Sequence, residues 1–224
     1  MVTSAVQGQG KSFISSNLAF LLASTEKRVL LIEADVRKAT MRRYVKFDAL
    51  KDPGLTNFLQ NLSSLEDVIM HDVYPYMDFI PAGKRIKNPG DILSSERMLT
   101  VINQLAEKYD YVVIDSPPLL PVNDARALAK ASDMILFAVR QEMCSTNEVM
   151  EALNLLDKGG SKVDGLVFNG FIPSQIRYGY NYGYGYGTYK LLGRYGKYGY
   201  GKYGYGKDYR YADYGTVDDN PKRK

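Results

Sequence analysis

The 224-residue sequence has no tryptophan, a single cysteine and a single histidine. Cys144 alone cannot close a disulfide within the chain, so a reducing compartment is the expectation. His71 alone, with no ligand set near it in sequence, reads as a surface residue rather than a metal ligand or a catalytic base. No apolar run approaches the roughly 18 to 20 residues that span a bilayer, and no basic stretch followed by an apolar one opens the chain. This stretch is therefore expected not to cross a membrane itself. Strong net charge is also lacking: the total is +4. It is unevenly placed, since residues 177–224 carry ten Lys or Arg against four Asp or Glu. A basic tail on a near-neutral body suits an acidic partner, which could be nucleic acid, anionic lipid or an acidic groove.

What is present alternates. Apolar runs at Val29–Ile32, Tyr111–Ile114, Met134–Val139 and Leu166–Phe168 read as strands buried on both faces. Between them, Lys11–Ala23, Glu96–Lys108, Asp124–Ala131 and Asn147–Leu156 place apolar residues three and four apart. They read as helices, with Ser94 or Ser95 and Thr146 as N-caps. Strand and helix in alternation predict an α/β fold, a parallel sheet with helices on both faces. Only Val2 and Thr3 precede the first loop, whereas a central strand supplies about five residues, so natural sequence is expected upstream. From residue 177 the pattern gives way to tyrosine alternating with glycine and lysine, and fourteen of the nineteen tyrosines fall between Tyr178 and Tyr214. The expectation is a domain over 1–176 and a disordered Tyr/Gly-rich tail over 177–224.

TSAVQGQGKSF, residues 3–13, reads as strand, glycine-punctuated loop and helix start. A phosphate-binding loop needs glycines where backbone N–H groups turn inward, a lysine for the terminal phosphates and a hydroxyl for magnesium. Ala5 stands where G-x-x-x-x-G-K-[ST] wants its first glycine; Gly8, Gln9, Gly10, Lys11, Ser12 and Phe13 follow. Asp115 ends the apolar run of VVIDSPP, the position from which a carboxylate holds magnesium in P-loop enzymes. Glu33 and Asp35 end VLLIEAD, two residues apart and so on one side if the strand continues. These strand ends converge where open parallel sheets bind ligands.

With these residues in hand, the chain resembles the cytoplasmic kinase domain of bacterial tyrosine kinases of the Wzc-type polysaccharide co-polymerases. The resemblance rests on AVQGQGKS, LLIEADVRK, VVIDSPP, PGLTNFL, IPAGKRIKNPGDILSSERM and the tyrosine cluster, and covers nearly the whole chain. It implies a P-loop NTPase fold of the MinD/ParA kind and ATP- and Mg2+-dependent autophosphorylation, coupled to capsular or exopolysaccharide export. The implied acceptors are Tyr178, Tyr180, Tyr182, Tyr184, Tyr186, Tyr189, Tyr195, Tyr198, Tyr200, Tyr203, Tyr205, Tyr209, Tyr211 and Tyr214. By the same resemblance Gly8 to Phe13 and Asn169 would bind nucleotide, with Lys11 on the β- and γ-phosphates. Ser12, Asp35 and Asp115 would hold the metal, and Asp35 with Glu33 would serve the metal and the incoming phenol. The family's second motif usually reads D-x-D, so Glu33 in place of the first aspartate leaves the division of roles between Glu33 and Asp35 open. Implied partners are a second copy presenting its tail, a membrane-embedded N-terminal or activator region and a low-molecular-weight tyrosine phosphatase, at the cytoplasmic face of the bacterial inner membrane. No nucleic acid partner is expected.

Two other readings remain. A positioning ATPase of the MinD and ParA type shares fold and motif order, but those proteins carry a second lysine early in the loop, where this chain has Val6. A nucleic-acid or surface-binding module could stack bases on the tail's tyrosines and pair phosphates with its lysines.

Overall fold

The computed structural model describes residues 1–46 and 53–172. The boundary at 176/177 and all the tail tyrosines lie outside the described residues. Among the described residues seven strands form one sheet: β1 (Val2–Ser4), β2 (Val29–Glu33), β3 (Met70–Tyr74), β4 (Met77–Ile80), β5 (Tyr111–Asp115), β6 (Leu136–Arg140) and β7 (Gly165–Asn169). Their order is β3-β4-β2-β5-β1-β6-β7. All pairs run parallel except β3 with β4, which is antiparallel. The sheet is thus mostly rather than wholly parallel, as the strand–helix alternation alone did not indicate. The β3–β4 link is the tight turn Pro75–Tyr76, with Tyr76 at φ 64.

The helices are α1 (Lys11–Ala23), α2 (Leu55–Leu59), α3 (Leu65–Val68), α4 (Pro89–Leu93), α5 (Glu96–Ala106), α6 (Asp124–Lys130) and α7 (Thr146–Lys158), with a 3-10 turn at Met41–Arg43. β2 shows why they take both faces. Strand side chains alternate, so Val29 and Leu31 pack with Ala19 and Ala23 of α1, while Leu30 and Ile32 pack with Met98, Val101, Ile102 and Leu105 of α5. Those α5 positions recur at the three- and four-residue spacing that makes one buried stripe.

The anticipated elements are present, with shifted ends. β6 begins at Leu136 rather than Met134, because Met134 gives its carbonyl to the Met1 amine and Ile135 gives its N–H to Asp164 Oδ2. Of the two serines considered, Ser95 caps α5 by accepting from Met98 N. Thr146 is not the cap of α7. Ser145 is, in a reciprocal pair with Glu148, so Thr146 becomes the first helical residue.

A candidate phosphate-binding site at the carboxyl edge of the sheet

β1, β2, β5, β6 and β7 run in one direction, so Ser4, Glu33, Asp115, Arg140 and Asn169 share one edge. Between β1 and α1 the chain turns through Ala5–Gly10. Gly8 and Gly10 sit at φ +82 and +90, conformations costly for any residue with a Cβ. A Cβ on Gly10 would lie 2.1 Å from Asn169 Nδ2. The backbone is therefore drawn as close to β7 as glycine allows. α1 opens at Lys11 with no side-chain cap and no acid in its first turn. Its leading N–H groups and dipole are thus left for an anion.

Lys11 is buried, with Nζ 3.9 Å from Asp35 Oδ2. Lys38 N donates to Asp35 Oδ1 at 3.1 Å, and Lys38 Nζ donates to Gln7 Oε1 in the loop at 3.2 Å. Beside this pair runs a chain of hydroxyls: Thr40 Oγ1 donates to Ser12 Oγ at 2.9 Å, and Ser12 Oγ donates to Asp115 Oδ2 at 2.6 Å. Ser15 Oγ donates to Asp115 Oδ1 at 3.2 Å. Burial pushes the Asp115 carboxyl up to about 7, against the opposing pull of the Lys11 ammonium and the Ser12 hydroxyl. A divalent cation would reverse that push by favouring the carboxylate. Hydroxyl, carboxylate, buried ammonium and an uncapped helix start are the donors a magnesium-bound phosphate chain takes, so the residues present fit that group.

Glu33 and Asp35 do not share surroundings. Ala34 N and Asp35 N both donate to Asp115 O, at 2.9 and 3.1 Å, so the chain turns off the sheet after Glu33 and strand alternation ends there. Asp35 faces Lys11. Glu33 faces backbone: Oε1 accepts from Thr40 N at 2.6 Å and Met41 N at 2.7 Å, and Oε2 accepts from Ala82 N at 3.2 Å. Burial raises its pKa against the opposing effect of these N–H groups.

Other anticipated residues take defined places. Gln9 is fully buried, its Oε1 accepting from Arg140 N at 2.5 Å and its main-chain oxygen from Asn169 Nδ2 at 3.0 Å. Gln9 Nε2 has no partner among the described residues. Asn169 Oδ1 accepts from Gly170 N, so its amide clamps the phosphate loop. The Phe13 ring is half exposed, edge-on to Tyr44 at 6.3 Å between centroids. Nearby, Arg37 forms a two-point pair with buried Asp124, Nε to Oδ2 at 2.8 Å. His71 bridges Asp78 and Glu66 through its two ring nitrogens at 2.9 and 3.0 Å, away from this edge. Sequence reasoning missed Thr40, Ser15 and Gln7. Only Ser15, one turn beyond Lys11 on α1, had a positional signal.

Loop, lysine, serine and strand-end aspartate on this sheet define a P-loop nucleotide-binding domain, and the AAA domain family model matches residues 2–163. The chain is 37% identical over 215 residues to the putative tyrosine-protein kinase EpsB of Ralstonia solanacearum, which covers 96% of this chain and 26% of the relative. It is 33% identical over 169 residues to the putative tyrosine-protein kinase CapB of Staphylococcus aureus, covering 75% of this chain and 73% of the relative. The kinase domain of Escherichia coli tyrosine kinase ETK superposes with a TM-score of 0.73 at 31% identity, over 83% of this chain and 71% of that one. The chain belongs to the bacterial tyrosine kinases of the AAA domain family. It spans about a quarter of the length of the EpsB relatives. A septum site-determining protein MinD from Pyrococcus horikoshii, at 20% identity and a TM-score of 0.60 over 75% of this chain and 68% of that one, shares the fold. No described helix is long and apolar enough to cross a membrane.

Proposed function

We propose that this chain is an ATP- and magnesium-dependent protein-tyrosine autokinase whose acceptors are the tail tyrosines Tyr178 to Tyr214 of a neighbouring copy. The observation that carries the reading is the meeting of buried Lys11, Asp35 and Asp115 with half-buried Ser12 at an uncapped helix start. Similarity to EpsB over 96% of the chain, which reaches into the tyrosine-rich segment, supports tyrosine as the acceptor. Magnesium-bound ATP supplies an activated γ-phosphoryl group. Gly8 to Ser12 and the first turn of α1 would hold its phosphates, Lys11 balancing their charge, and Ser12 with Asp115 would hold the metal. Asp35 would take the phenol proton as the tyrosine oxygen bonds phosphorus and the bond to the ADP oxygen breaks. The remaining task is positioning, which here falls to buried side chains on strand ends.

Each phosphotyrosine adds about −1.5 to −2 charges, so roughly four would reverse the sign of the basic tail. The natural setting we propose is the cytoplasmic face of a bacterial inner membrane, with a membrane-embedded activator region and a tyrosine phosphatase as further partners and polysaccharide export as the regulated process. Similarity to the chimerical protein CapA2B2 supports a two-part arrangement. To test the enzyme, the chain is incubated with magnesium and ATP beside Lys11→Met, and phosphotyrosine is mapped by mass spectrometry. Label on Tyr178 to Tyr214 in the wild type alone is expected. Equal label in both, or none when the upstream segment of a relative is supplied as well, would defeat the proposal.

A further inference from the structure

Glu33 is a buried carboxylate with no side-chain cation among its described contacts. An acid in that position costs stability unless donors surround it, and here three backbone N–H groups do so. Two of them belong to Thr40 and Met41 and one to Ala82 beyond β4, so Glu33 ties the segment leaving β2 to the end of β4. A general base needs an oxygen within hydrogen-bond reach of the proton it takes. Both Glu33 oxygens accept from main chain, Oε1 twice and Oε2 once, and the residue is buried.

What that tie achieves is seen at the next bond. With its N–H fixed on Glu33 Oε1, Thr40 directs its hydroxyl to Ser12 Oγ at 2.9 Å. A serine hydroxyl has one hydrogen and two lone pairs. The Ser12 hydrogen goes to Asp115 Oδ2, one lone pair accepts from Thr40, and the other stays available to a hard cation, which prefers oxygen. Without Thr40, Ser12 could rotate about its side-chain bond.

We infer that Thr40 is a positioning residue of the metal side of this site, holding Ser12 oriented toward the cation, and that Glu33 is the anchor of Thr40 rather than the base that receives the phenol proton. The inference rests on the magnesium–nucleotide reading above. Its test therefore includes a control for that reading.

The affinity of the full 224-residue chain for a fluorescent ADP is measured with and without magnesium, for wild type, Thr40→Val, Thr40→Ser, Glu33→Gln and Ser12→Ala. Thr40→Val keeps the shape and removes the hydroxyl. It is expected to reduce the magnesium-dependent tightening of ADP roughly fivefold, the size of one lost hydrogen bond, with magnesium-free affinity unchanged. Thr40→Ser should restore the response. Glu33→Gln places an N–H against one of three donors and should lose magnesium response to a similar extent. Combined with Thr40→Val it should lose little more, since both act through one hydroxyl. A normal magnesium response in Thr40→Val beside a lost one in Ser12→Ala would overturn the inference while leaving the metal reading intact. So would a Glu33→Gln protein that binds magnesium-ADP like wild type yet loses tyrosine phosphorylation by a hundredfold or more, the signature of a base. If Ser12→Ala also keeps the full response, the metal reading fails and this inference with it. The Thr40 pair decides the question even if Glu33→Gln does not fold.

Discussion

Replacing Gly10 by alanine should expose the closeness of the phosphate loop to β7, and a second substitution should remove half of the damage. A Cβ at residue 10 meets Asn169 Nδ2 at 2.1 Å and Asn169 Cγ at 3.3 Å, and among the described residues no other heavy atom within 4 Å outside its chain neighbours. Two costs add. The backbone at φ +90 strains any L side chain by about 1 to 2 kcal/mol. The Asn169 amide must also move by about an ångström to reach ordinary contact, breaking its 3.0 Å bond to Gln9 O at about 1 to 2 kcal/mol. Gly10→Ala is therefore expected to destabilise the domain by roughly 3 kcal/mol. In an Asn169→Ala background the clash has no partner, and only the backbone strain remains, about 1 to 2 kcal/mol. Urea unfolding of the four proteins closes a double-mutant cycle, with an expected coupling of about 1 to 2 kcal/mol. Additivity within about 0.5 kcal/mol would refute the reasoning, because it would mean that Asn169 does not limit the approach of the loop.

Two further outcomes bear on the fold rather than the chemistry. Phe137, fully buried in β6 under α6 and α7, should cost roughly 3 to 5 kcal/mol when cut to alanine, read as a fall in urea midpoint with an unchanged slope. His71 is held above its usual pKa by its bonds to Asp78 and Glu66, while Tyr109 also donates to Asp78. A raised folded pKa stabilises fully below about 6.5, the unfolded value, and that stability is lost as pH rises through the folded one. Melting temperatures of wild type and His71→Asn should therefore differ most in mildly acidic buffer and converge above neutrality, by less than about 1 kcal/mol since the pair is half in solvent. A gap that widens with pH would contradict the assignment.

The parts of this site that were legible in the sequence are those announced by a change of residue class. Asp115 follows Val112, Val113 and Ile114, Lys11 and Ser12 follow a loop punctuated by glycines, and Asn169 closes LVF, so each is read as a strand end or a helix start and each stands there. β3 and β4 carried no such mark. MHDVY is an edge strand with three of its five residues exposed, and MDFI is four residues long, so neither shows the period that burial on two faces imposes. The capping serine of α7 was misplaced by one residue because Ser145 and Thr146 are equivalent by type, and only the Glu148 contact separates them.

The roles of Glu33 and Asp35 could not be separated from sequence for a deeper reason. Reading both acids as one side of a strand assumes that the period of two continues past Glu33, and the paired N–H groups of Ala34 and Asp35 on one Asp115 carbonyl show that it stops there. Beyond that turn, Asp35 meets a lysine, a partner whose type is visible in the sequence. Glu33 meets the main chain of residues 40, 41 and 82, where any amino acid except proline offers the same donor. A carboxylate whose work is to bind backbone therefore looks in sequence like one whose work is catalysis. The two are told apart by where the oxygens are spent, and in Glu33 they are spent on holding the segment that brings Thr40 to Ser12.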